Sequence, residues 1–143
     1  MKYSAVWIRL NLYLLKVSLR RASDNFHFCG GSVLGPNHVV SAAHCTVIWD
    51  SPDEVVVVAG EHDRSVDEGT EQTVPVAKLT VHEHYGSPKG FENDIAIWEL
   101  AEPLEMNEFV APVALPEPMK QSEGDCTVSG WGTLHSGMFH HTE

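Results

Sequence analysis

Residues 29–45 read CGGSVLGPNHVVSAAHC. Gly35-Pro36-Asn37 is a turn signal between two short runs that carry valine and leucine, so the stretch predicts strand, turn, strand. Cys29 and Cys45 bracket that pattern, a spacing that lets their side chains meet. A disulfide closing a loop of about 15 residues would contribute about 3 kcal/mol in the chain-entropy model, and it would require an oxidising compartment. No C-x-x-C occurs, which argues against a zinc ribbon or a thioredoxin-like site. His44 lies between Ala43 and Cys45. A general base must be held in one rotamer with small neighbours so that a substrate can approach, and Ala42, Ala43 and a cystine at Cys45 would supply both conditions.

Outward from that stretch, the apolar segments are short and rich in Val and Ile: LLKVSL, FHFCGGSVLG, HVVSA, EVVVVAG, TVPVAKLTVH, IAIWEL and CTVSGWG. Several alternate with period two, and Ser51-Pro52-Asp53 is a further turn. Around residues 6–19 an apolar stripe of helical period fits as well as alternation. Six or seven strands at this spacing predict an all-β chain, an antiparallel sandwich or closed barrel. There are no internal repeats. The stretch ELAEPLEMNEFVAPVALPEP holds four prolines and reads as a long surface connection, with a domain boundary near residues 112–125.

At 143 residues the chain is one domain, or one and part of another. Hydrophobic residues make up 43%, enough for a packed core. Nine Lys and Arg against 20 Asp and Glu give a net charge of −11, which excludes a nucleic-acid partner and disfavours anionic lipid. The N-terminal MKYSAVWIRLNLYLLKVSLRR is too short and too charged for a membrane span. Arg9 interrupts its apolar run and no small-x-small cleavage site follows Leu15, so no signal peptide is clear. No Asn-x-Ser/Thr acceptor occurs.

FENDIAIWEL places Asp94 at the mouth of an apolar run, where a carboxylate is costly unless paired. An imidazole N–H is a natural partner. The residues alone leave open His44–Asp94 pairing against a surface histidine and a strand-capping aspartate. CGGSVLGPNHVVSAAHC, GEHDRSVDEGTEQTV, NDIAIWELAEPL and CTVSGWGTL, in that order and spacing, resemble a trypsin-like serine protease of the chymotrypsin family, from about Val17 to Leu134. The resemblance implies the first chymotrypsin-like antiparallel barrel over residues 14–115, then a connection and the first strand of an incomplete second barrel over 116–134. It leaves an atypical segment at 1–13 and an unrelated tail at 135–143. It implies that His44 is the general base and acid, that Asp94 orients it, and that Cys29 and Cys45 form the disulfide beside the histidine. The function so implied is serine-type endopeptidase, acting without a catalytic cofactor on polypeptide substrates, held by protease inhibitors, and secreted.

Departures shape the remaining expectations. The nucleophile of this family lies in a Gly-Asp-Ser-Gly-Gly segment, and none of the chain's serines sits in one. The oxyanion-hole amides, the primary specificity pocket and a partner for Cys126 are expected in the same missing region, so Cys126 is left unpaired. MKYSAVWIRLNLY stands where an activated protease would begin with two apolar residues and two glycines, so ordinary zymogen activation has no substrate. The chain is therefore expected to be a truncated, inactive form that self-associates through its uncovered barrel face; the alternative is a non-catalytic protease-like binding module.

GEHDRSVDEGTEQTV concentrates Glu61, Asp63, Asp67, Glu68 and Glu71, with Gly69 for a tight turn. Hard oxygen donors at this density suit Ca²⁺. The stretch resembles the calcium loop of trypsins, which implies carboxylate ligands from Glu61, Glu68 and Glu71 and carbonyl ligands from Asp63 and Val66. A solvated acidic hairpin is the alternative. VHEHY puts His82 and His84 on one face of an expected strand, but two histidines fall short of the three or four ligands zinc needs.

Overall fold

A valine-rich run of period two carries one apolar face, which a sheet can bury by closing on itself, and here six strands do so. The computed structural model describes residues 14–49, 51–87, 89–118, 125 and 127–132. The strands are β1 (Lys16–Arg21), β2 (His27–Gly35), β3 (His38–Ser41), β4 (Val55–Ala59), β5 (Gln72–Val81) and β6 (Ala96–Leu100). They form a closed antiparallel barrel in the order β1-β2-β3-β6-β5-β4. The all-β expectation and the chymotrypsin-like barrel are met; of the ambiguous stretch 6–19, residues 16–19 are strand and residues 6–13 lie outside the described residues.

Alternate residues point inward. Val17 and Leu19, Val55, Val57 and Ala59, Val74 and Val76, and Ala96, Trp98 and Leu100 are all buried, with Val33 and Val39 between them. A fully buried Val or Leu contributes about 1.5–3 kcal/mol, so this row is the main stabilising term. Gly31 lets β2 approach its neighbour: a Cβ there would lie 2.8 Å from Val39 Cγ1 and 2.9 Å from the Val40 carbonyl oxygen. Residues 101–113 follow the surface for most of their length, yet Leu104 and Val110 enter the core. Backbone bonds from Leu104 to Pro36 and from Val113 to Val33 hold the segment there, at 2.8 and 2.7 Å.

Two elements differ from the sequence reading. The strand expected over 126–132 is not formed by residues 127–132, which have no ladder partner among the described residues. Trp131 packs instead on β1 and β2, its ring edge-on to His27 at 5.9 Å and under the Lys16 ammonium at 3.7 Å. β5 ends at Val81, so His82 and His84 lie in the turn that follows and do not share a strand face. There the His84 amide donates to His82 Nδ1 at 3.1 Å. The segment 1–13, Cys126 and the tail 135–143 fall outside the described residues. No helix among the described residues is long and apolar enough to cross a membrane.

What the barrel does for function is set by β3 and β6. Their ladder ends at the pair Ser41↔Ala96. His44 follows β3 by three residues and Asp94 precedes β6 by two, so antiparallel pairing delivers both to one end of the barrel.

Candidate active site

After Ser41 the chain turns through a one-turn 3₁₀ helix, Ala43–Cys45, that carries His44. Four contacts fix it. The Thr46 amide and hydroxyl both donate to the Ala43 carbonyl, at 2.9 and 2.7 Å. Ser41 Oγ donates to the Gly30 carbonyl at 2.7 Å. Cys45 is joined to Cys29 of β2 by a disulfide, with 6.2 Å between Cα atoms. Ala43 is wholly buried, and the imidazole beside it is 48% exposed. The turn is rigid while the ring stays accessible.

Asp94 is presented by a different device. Asn93 occupies the left-handed region at φ 55°, a conformation asparagine tolerates better than most residues. Its amide nitrogen donates to the His84 carbonyl at 3.0 Å, and the Ile95 amide donates back to the Asn93 carbonyl at 2.8 Å. Asp94 is thereby thrust towards the histidine turn.

The two meet at both carboxylate oxygens. His44 Nδ1 is 2.7 Å from Asp94 Oδ2, and the His44 backbone amide donates to Asp94 Oδ1 at 2.8 Å. The hydrogen bond from the imidazole is the main cause that holds the Asp94 carboxyl below the ordinary carboxylate range; partial burial opposes it and the His44 amide assists. With Nδ1–H committed to an ionised acid, the neutral ring keeps its lone pair on Nε2. The pair can therefore accept a proton at Nε2 and stabilise the imidazolium that results. Phe91 stands edge-on to the imidazole, 5.8 Å between centroids. Neither Phe91 nor Asn93 was singled out from sequence. Asn preceding Asp at a strand mouth was a readable signal for the second, since asparagine is enriched in the left-handed region.

A family model described as Trypsin matches residues 12–142. The chain belongs to the trypsin family. It is similar to Trypsin-1 of Astacus astacus, 40% identical over 115 residues that cover 79% of this chain and 48% of that protein. It is also similar to Trypsin-3 of Salmo salar, 42% identical over 111 residues, 78% of this chain and 44% of that one. Serine protease 1 of Rattus norvegicus is 41% identical over 117 residues, covering 81% and 45%. The chain spans about half the length of the curated relatives it matches.

In this trypsin-family chain the acidic loop lies between β4 and β5, away from His44. Glu61, Glu68 and Glu71 each bring a carboxylate oxygen within 4.8 Å of the other two. Glu61 is 3% exposed, and its Oε1 and the Oε2 of Glu71 are buried without a hydrogen-bond partner among the described residues. Orphaned buried carboxylate oxygens that converge are what a hard cation would satisfy, so the donor set fits Ca²⁺. Gly69 supplies the tight turn, at φ +76°, and Glu68 accepts from the His62 and Asp63 amides, both at 3.2 Å. Burial raises the Glu71 carboxyl, but bonds from the amides of residues 68–71 outweigh it and hold the group below its usual value. Asp63 directs its side chain to Ser65 at 2.7 Å and its carbonyl accepts from the Val66 amide at 3.1 Å. Missed from sequence was Arg20 of β1, whose guanidinium donates to Glu61 Oε2.

Proposed function

We propose that this chain supplies the base and the orienting acid of a secreted serine endopeptidase. The two-point contact between His44 and Asp94 is the observation that carries the reading. In that chemistry His44 Nε2 takes the proton of a serine hydroxyl as it attacks a peptide carbonyl, then returns it to the leaving amine. Asp94 keeps Nδ1 protonated and lowers the energy of the imidazolium. The serine is not in a Gly-Asp-Ser-Gly-Gly segment anywhere in these 143 residues. A polypeptide of these residues alone therefore gives background hydrolysis, because oxyanion donors and a docked acyl group are needed as well. Its partners are polypeptide substrates and protease inhibitors, and self-association through the uncovered barrel face is expected of the isolated chain. Ca²⁺ in the acidic loop, held by Glu61, Glu68, Glu71 and the carbonyls of Asp63 and Val66, would add to the stability of the β4–β5 connection and take no part in the chemistry.

The second reading is a non-catalytic protease-like module that binds inhibitors or partners. Transcript sequencing separates the two. A message that joins His44 and Asp94 to a Gly-Asp-Ser-Gly-Gly segment, with a product whose peptidase activity is lost in His44→Ala, supports the enzyme. Messages that never carry the segment support the module. Turnover of a trypsin peptide substrate by the purified 143-residue chain, blocked by a serine-directed reagent, would refute the division of the triad.

A further inference from the structure

Glu61 and Arg20 form a buried ion pair outside the candidate active site. β1 alternates, so Val17 and Leu19 face the core while Lys16, Ser18 and Arg20 face outward; yet all three are buried. The acidic loop covers Arg20. The guanidinium donates from Nη2 to Glu61 Oε2 and from Nε to Ser18 Oγ at 2.9 Å. Ser18 Oγ in turn lies 2.7 Å from His27 Nδ1, so the arginine is held from both sides and is not a mobile surface charge. Among the described residues Glu61 Oε1 and Glu71 Oε2 are left without hydrogen-bond partners, as is Arg64 Nε. Arg20, Glu61, Arg64 and Glu71 line one open pocket of about 440 Å³.

We propose that Arg20 is a resident counter-cation of the acidic loop: it holds one oxygen of Glu61 and sets how tightly the loop takes a divalent cation. The proposal rests on the calcium reading of Glu61, Glu68 and Glu71. Three convergent carboxylates repel one another, and Glu61, the buried one of the three, cannot stay ionised there unpaired. A fixed guanidinium on Glu61 relieves part of that repulsion, so the loop keeps its shape without metal. The same positive charge opposes a cation brought up to Glu61 Oε1, and affinity falls in consequence.

Isothermal titration of the 143-residue chain and its Arg20→Gln variant with calcium chloride tests this, together with thermal melts in EDTA. Arg20→Gln is expected to bind Ca²⁺ about tenfold more tightly or better and to melt lower in EDTA. Arg20→Lys keeps the charge and is expected to stay near wild type in affinity. Calcium heat in both proteins with no gain in Arg20→Gln overturns the proposal and leaves the calcium site standing. No heat from either at millimolar calcium overturns both, and heat that survives Glu71→Gln removes the loop as its source. If Arg20→Gln does not fold in EDTA, recovery of its fold on adding calcium supports the proposal, and failure to recover where wild type refolds overturns it.

Discussion

Cutting the cystine tests how the histidine turn is held. Cys29 and Cys45 are 16 residues apart in sequence, a loop whose closure is worth about 3 kcal/mol in the unfolded chain. Cys45 is 4% exposed and packs in the core beside Ala43, so removing its sulfur adds a cavity cost of about 1 kcal/mol. Cys29→Ala/Cys45→Ala is therefore expected to lose about 3–4 kcal/mol, a large part of the 5–15 kcal/mol typical of a domain. The assay is urea unfolding followed by tryptophan fluorescence, to which the fully buried Trp98 contributes, with Cys126 changed to Ser in both proteins. The site should register the loss too. The His44 amide bond to Asp94 Oδ1 lies one residue from the cystine, so hydrogen exchange at that amide should accelerate beyond the global change. A loss below about 1 kcal/mol, with exchange at His44 unchanged, would mean that the β2–β3 and β3–β6 ladders hold the turn unaided, and the clamp role would be wrong.

Other outcomes follow from single residues. Burial, aided by the charges of Arg64 and Arg20, pushes His27 from 6.5 down to about 4. The fold therefore prefers the neutral ring; its contribution is full above pH 6.5 and is lost as pH falls through about 4. Partial exposure cuts the full linkage value to about 1–2 kcal/mol, so His27→Gln should flatten the stability profile across that window, and an unchanged slope would contradict the burial. Gly60 sits at φ +73°, with a Cβ position 2.3 Å from the Thr70 carbonyl oxygen. Gly60→Ala should cost about 3 kcal/mol or more in urea melts, and a cost below about 1 kcal/mol would show that the turn has room to shift. Asn93→Gly keeps the left-handed backbone but loses the tie to His84, whereas Asn93→Ala loses both. Stability should fall more in Asn93→Ala by about 1 kcal/mol, and equal losses would place the whole effect in the side-chain bond.

The strands were legible because they are short apolar runs, several of period two, between turn signals; that they close into a barrel and not a sandwich came from the family resemblance. His44 and Cys45 were legible for a similar local reason, small residues and two cysteines within one hairpin. Asp94 required the family resemblance, since nothing near it in sequence says that an imidazole lies opposite; only the Ser41↔Ala96 end of the ladder brings the two together. Arg20 was opaque because its strand position reads as a solvated face, and its partner Glu61 lies 41 residues on. The expected strand at 126–132 failed for the converse reason. Its pattern is that of a strand, but pairing is a property of neighbours, and residues 127–132 find none among the described residues. Leu104 and Val110 were hidden within a proline-rich stretch whose composition described its exposed positions and not its two anchors.

Nitrogen-15 spectra of His44 at neutral pH test most directly whether the base and its orienting acid are paired. The expected result is a ring protonated at Nδ1 with a bare Nε2, and loss of that tautomer preference in Asp94→Asn. A ring protonated at Nε2, or a tautomer mixture that Asp94→Asn leaves unchanged, would contradict it.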